Sequence, residues 1–219
     1  MNDGIYINLP TESGTYVMRD SQRTQNYIDT SEAFYLKGVA NGDDGYDGLS
    51  RDWRVVSGGT DAFSGDFVFS YNFEIVKRVT LEAIDALSAE NVSSKNWFHG
   101  VTVSTNNIFD AWNDYSLVYR KSENSAETAR ANPLGLGSMT ERDGFTATDA
   151  RFVIVRSGNT LYIALCADNE WAVKTCEISG DETLYIFFNT ENVNVRITDL
   201  TVSSAGSDVT AALDEIGKG

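Results

Sequence analysis

Phe67, Phe69, Tyr71, Phe73 and Ile75 alternate with Val68, Ser70, Asn72 and Glu74. A period of two sends the first set to a core and the second towards water, as in a strand with one buried face. The last third of the chain is denser still in strand signals. Arg151–Arg156, Leu161–Cys166, Trp171–Cys176, Leu184–Phe188 and Val193–Ile197 are β-branched or aromatic runs. They are punctuated by Ser157-Gly158-Asn159, by Asp168-Asn169 and by further turn formers, the pattern of antiparallel strands following one another closely.

Earlier segments add to the series. Residues 5–9 and 15–18 read as short edge strands, and Ser31–Val39, Trp53–Val56, Trp97–Ser104 and Tyr115–Arg120 as further strands. Leu81–Leu87 has apolar residues at helical spacing and predicts a short helix. Residues 121–149, with Pro133 and several glycines, read as a long polar excursion, a length more often functional than accidental. About nine or ten strands with little helix predict an all-β chain, a two-sheet antiparallel sandwich or a closed barrel. No internal repeat points to a propeller or solenoid.

Composition narrows the function. The chain has 219 residues, enough for one large domain. Its 17 Lys+Arg stand against 32 Asp+Glu, a net charge of −15. That field repels phosphate backbones and anionic membrane surfaces, so neither nucleic acid nor membrane is expected as partner. No run of about 18 apolar residues predicts a span. The N-terminus lacks the basic and apolar regions of a signal peptide. The chain then reads either as cytosolic or as a monomeric module of a longer exported protein, secreted or at the cell surface. Ser203–Ser207 looks like a linker before a short helix-like segment, so residues 1–203 are expected as one sandwich domain and 204–219 as a linker-like tail.

The segments Asp66–Phe73, His99–Val103, Phe152–Tyr162 and Val195–Val202, in that order, resemble the concanavalin A-like jelly-roll of laminin-G-like and bacterial carbohydrate-binding modules. The resemblance is a strand pattern over roughly residues 33–203. It implies two curved antiparallel sheets, a ligand at the concave face or at loops on one rim, and one or two short helices. It also implies the function expected here: non-catalytic binding of plant or host polysaccharide by a module of an extracellular bacterial protein. The alternatives are a laminin-G-like adhesive or spacer module and a glycoside hydrolase.

Site chemistry is sparser. Retaining glucanases of this fold carry Glu-x-Asp-x-x-Glu on one strand, because their chemistry needs two carboxyls about 5–5.5 Å apart. This chain has no such motif, and no catalytic residue is assigned. His99 is the only histidine, which excludes a multi-histidine metal site. Beside Trp97 and Phe98 it reads as structural. Trp112-Asn113-Asp114-Tyr115 is the best ligand candidate: an aromatic face stacks on a sugar ring while Asn and Asp bond its hydroxyls. The alternative is that Trp112 folds back as a loop anchor. Tyr46 and Trp53 complete the candidate ligand set. Asp43, Asp44 and Asp47 stand in tight turns that suit calcium, which takes about six to eight oxygen ligands, although a solvated Asp/Gly loop reads the same way. Cys166 and Cys176 lie on two arms of one hairpin. A loop centred near Trp171 brings them face to face as a disulfide, whereas a tight turn at Asp168-Asn169 pairs Cys166 with Trp171 and keeps the thiols apart.

Overall fold

A computed structural model describes residues 5–11, 14–20, 27–29, 34–37, 53–57, 62–78, 97–107, 115–121, 128–131, 142–143, 149–167, 169–191 and 193–219. The expected helix at 81–87 lies outside them. The strands are β1 (Ile5–Thr11), β2 (Gly14–Asp20), β3 (Tyr27–Asp29), β4 (Phe34–Lys37), β5 (Trp53–Ser57), β6 (Phe67–Arg78), β7 (Trp97–Ser104) and β8 (Tyr115–Lys121). They continue as β9 (Thr128–Ala131), β10 (Arg142–Asp143), β11 (Asp149–Ser157), β12 (Thr160–Ala167), β13 (Glu170–Glu177), β14 (Tyr185–Glu191) and β15 (Val193–Ser203). Among the described residues one helix follows, α1 (Gly206–Glu215). The excursion expected at 121–149 thus holds two short strands, β9 and β10, that extend the sheet beyond β8.

Two antiparallel sheets face each other. Among the described residues one has eight strands in the order β1-β2-β5-β14-β7-β8-β9-β10, the other seven in the order β13-β12-β11-β6-β15-β4-β3. This is the expected all-β sandwich of jelly-roll type. Pro10 sits on β1, an outermost strand, where its missing N–H costs the sheet least.

The alternation read along β6 is realised. Phe67, Phe69, Tyr71 and Phe73 are all buried in the main core, with Val101, Val103, Phe152, Ile154, Ile186 and Phe188 among their neighbours. Tyr71 packs edge-on to Phe188 at 4.8 Å between ring centroids, and Phe73 stacks on Phe152 at 5.3 Å. Such aromatic pairs contribute about 0.5–1.5 kcal/mol each beyond the area they bury. His99 is a core residue, fully buried among these rings.

The closing strands do not form one run. β11, β12 and β13 pair in sequence, but β14 lies in the other sheet between β5 and β7, and β15 returns to sit between β6 and β4. Local patterning encodes a strand's faces, not the sheet that it joins. The loop Ile178–Leu184 makes the crossing, and the buried Arg156 holds it: its guanidinium donates to the carbonyl oxygens of Glu182, Gly180 and Ser179. At the same end Gly158 takes φ +57, which suits glycine, and its N–H donates to Asp66 Oδ1 at 2.8 Å.

Ser70 was expected in water and is instead 3% exposed. The outer face of the seven-stranded sheet is apolar at its centre, and α1 lies on it. Val209, Ala212 and Ile216 of the helix segment form a second core with Val153, Val155 and Ala164, flanked by Val68, Tyr162, Trp171 and Val173. The Ser/Gly-rich stretch that looked like a linker therefore leads straight into a helix packed on the sheet. Among the described residues no helix is long and apolar enough to cross a membrane.

Candidate functional site

The hairpin β12–β13 decides the question of the cysteines. Ala167 pairs with Glu170, so only two residues separate the arms, and Asn169 takes φ +61, a conformation Asn tolerates better than most residues. Cys166 then pairs with Trp171 and Leu161 with Cys176. The two cysteines are not joined in a disulfide. Burial pushes the Cys176 thiol up to about 12, which keeps it protonated and unreactive.

The two outer faces differ in chemistry. That of the seven-stranded sheet is half apolar and carries α1. On the eight-stranded sheet, Ile186 and Phe188 of β14 and Val101 and Val103 of β7 face the core. The residues between them therefore face outward: Phe187 on β14, and Gly100, Thr102 and Ser104 on β7. Register places Phe187 beside Thr102 and Tyr185 beside Ser104. This face is lined by hydroxyls and aromatic rings. Phe187 and Thr102 are fully buried and Ser104 is 1% exposed, while Tyr185 at the head of β14 is half-buried. The turn after β7 is open to solvent: Thr105, Asn106 and Asn107 are exposed, and Asn106 N–H donates to Ser104 Oγ at 2.9 Å.

Of the expected ligand residues, Trp112, Asn113, Asp114 and Tyr46 lie outside the described residues, as do Asp43, Asp44 and Asp47. Tyr115 begins β8 opposite Val103, and its partly buried ring packs against the main core. Trp53 begins β5, where it pairs with Phe188 and Asp20. β5 and β8 run antiparallel, since each is linked through β7 and β14 by antiparallel pairings. The chain thus enters β5 at Trp53 from one end of the sheet and β8 at Tyr115 from the other. Trp53 lies in the row of Phe188 and Val101, and Tyr115 two residues along β7 in the row of Val103. Tyr185 went unnoticed in the sequence; it comes beside Ser104 only through pairing between strands about eighty residues apart. Among the described residues no group of three His, Cys, Asp or Glu could hold a metal ion.

No family's sequence model matches the chain, and no curated protein matches it by sequence. Solved structures do match in fold. A functionally unknown protein from Saccharomyces cerevisiae is 11% identical, with a TM-score of 0.53, over 92% of this chain and 96% of that one. A legume lectin-like domain from Entamoeba histolytica is 9% identical, TM-score 0.51, over 87% and 90%. A GH43 protein from Bacillus licheniformis is 8% identical, TM-score 0.51, over 86% of this chain and 37% of that one. The fold is the concanavalin A-like jelly-roll.

Proposed function

We propose that this chain is a non-catalytic glycan-binding module, and that it contacts its ligand at the end of the eight-stranded sheet where β7 stops and β8 begins. The observation that carries the reading is the pairing of Tyr185 with Ser104, next to the exposed amides of Asn106 and Asn107. These amides lead on in sequence to Trp112-Asn113-Asp114. Aromatic ring, amide and hydroxyl are the elements that recognise a sugar ring and its hydroxyls. Among the described residues at this end, the outward positions of β7 and β14 hold Gly100, Thr102, Ser104, Tyr185 and Phe187, not the carboxylate pair that glycoside hydrolysis needs. The likeness in fold to a legume lectin-like domain supports the ligand class. On this reading the sandwich over residues 1–203 belongs to a larger secreted or surface protein, and Asp43, Asp44 and Asp47 hold calcium.

The test is affinity electrophoresis through polysaccharide gels together with a glycan array. Trp112→Ala abolishes retardation and leaves circular dichroism unchanged. Retardation that survives this change removes the site, and reducing sugar released from any of the polysaccharides removes the non-catalytic assignment.

A further inference from the structure

The seven-stranded sheet carries a second feature on its outer face, beside α1. Register sets Thr198 of β15, Asn72 of β6, Arg151 of β11, Cys166 of β12 and Trp171 of β13 in one row across five strands, about 19 Å wide at normal strand spacing. Val153 and Val155, in the neighbouring rows, belong to the apolar cluster under α1. The polar row is where the cover stops. Glu215, the last residue of α1, pairs with Arg151 there, and Trp171 is half-buried against the helix cluster at the far end.

β15 is bulged at this point. Thr198 pairs with Asn72 and Thr201 with Ser70, so three steps on β15 match two on β6. Leu200 keeps its place in the core. The residue added is Asp199, exposed and held at φ +50, a conformation that costs an aspartate more than a glycine. The bulge therefore leaves the core pattern intact and adds one carboxylate to the outer face, next to Thr198. Asn72 Nδ2 donates to Asp199 Oδ2 at 2.8 Å. Arg196 meets Glu74 at 3.4 Å one row along. These pairs are well exposed, where ion pairs add little to stability, so folding alone gives little reason for the array.

We propose that this row, centred on Asp199 and Asn72, is a second ligand surface for a neutral, hydroxyl-rich chain such as a short oligosaccharide. Carboxylates of Asp199 and Glu74 accept from hydroxyls, while Asn72, Arg151 and Arg196 donate to them. Trp171 offers a ring face at one end. Arg151 and Arg196 stand among Asp199 and Glu74 over this row and the next, and the chain as a whole is acidic, which disfavours a polyanion. The width suits several sugar rings rather than one. The surface is apart from the end marked by Asn106 and stands without it.

The experiment is affinity electrophoresis through gels cast with xylan, galactomannan or mixed-linkage β-glucan, with the melting temperature of each variant measured in parallel. Asp199→Gly accommodates φ +50 without strain; it is expected to melt at the same or a higher temperature and to bind at least tenfold more weakly in the gel that retards the wild type. Asn72→Ala is expected to weaken binding similarly. Unchanged retardation of Asp199→Gly, with or without a lower melting temperature, overturns the proposal, as does a wild type retarded by none of the gels. Retardation lost in Trp112→Ala and kept in Asp199→Gly overturns this surface alone. The opposite pattern overturns the site at Trp112 and sustains this one.

Discussion

Tyr71 on β6 and His99 on β7 share a hydrogen bond of 3.1 Å between Oη and Nε2 in the middle of the sandwich. The two strands belong to opposite sheets, so the bond ties the layers together through an otherwise aromatic interior. Burial holds the Tyr71 hydroxyl well above its ordinary pKa, so it keeps its proton and donates to Nε2 when that nitrogen is bare. Tyr71→Phe preserves the ring contacts with Phe188 and Phe152 and removes the hydroxyl. It is expected to lower the free energy of unfolding by about 1–3 kcal/mol, the cost of leaving a buried polar atom short of a partner. Urea unfolding followed by tryptophan fluorescence measures it, and a loss below about 0.3 kcal/mol would show that the bond does not tie the sheets.

The two cysteines are expected to behave differently. Cys166 is half-buried and Cys176 is 3% exposed. A thiol reagent at neutral pH should titrate one group in the native protein and two after denaturation, and reductant should leave the melting temperature unchanged. Two rapidly reacting thiols, or none after unfolding without reductant, would contradict the register of β12 and β13.

Alkali should weaken the fold through the same residue. Burial raises the Cys176 thiol from its ordinary 9.0 to about 12. The native state therefore holds a proton that the unfolded chain releases. Its contribution is complete below about pH 9 and is lost as pH rises towards 12, at about 1.4 kcal/mol per pH unit per proton. Tyr71 acts in the same direction at higher pH. Lys174 opposes them: desolvation lowers its pKa from 10.5, so its contribution grows as pH rises towards that value. Cys176→Ala should flatten the stability profile between pH 9 and 12, measured by urea midpoints at each pH.

Val209 is 5% exposed on the inner face of α1, against Val153, Val155 and Ala164. Val209→Asp places a carboxylate in that cluster and is expected to cost about 3 kcal/mol. It should also raise binding of a hydrophobic dye, as the helix lifts from the sheet. Arg151→Ala, which removes the exposed pair with Glu215 and a long hydrogen bond to Ser70 Oγ, should cost less than about 1 kcal/mol. Equal effects from the two variants would mean that the helix is not held by its apolar face.

If Asp43, Asp44 and Asp47 hold calcium, the melting temperature should fall on adding chelator. Calcium at a hundredfold its dissociation constant stabilises by about 2.7 kcal/mol. Asp43→Asn combined with Asp47→Asn should abolish the response; a wild type indifferent to chelator removes the site.

Much of the fold was legible because the two faces of β6 differ so sharply in polarity, and because β11 and β12 are separated by a turn, Ser157-Gly158-Asn159, whose chemistry is unambiguous. Sheet membership was not legible. β14 and β15 follow the β11–β13 meander without a compositional break, and only the path that Arg156 fastens at Ile178–Leu184 carries the chain across. The C-terminal helix was half legible: Ser203–Ser207 looked like a linker, while Val209, Ala212 and Ile216 at helical spacing were the signal of a docked face. The candidate site is harder to read, since Tyr185 meets Ser104, and Asp199 meets Asn72, through pairings remote in sequence. A single inserted residue on β15 shows no signature in composition or periodicity.

The place of β15 also bears on how the molecule is made. It fills the gap between β6 and β4, and β14 fills the gap between β5 and β7. Neither sheet can close until residues near the end of the chain have been synthesised. Contacts so distant along the sequence make for slow folding, and a nascent chain halted before residue 185 would present unpaired edges on both sheets, the condition in which β-rich chains aggregate.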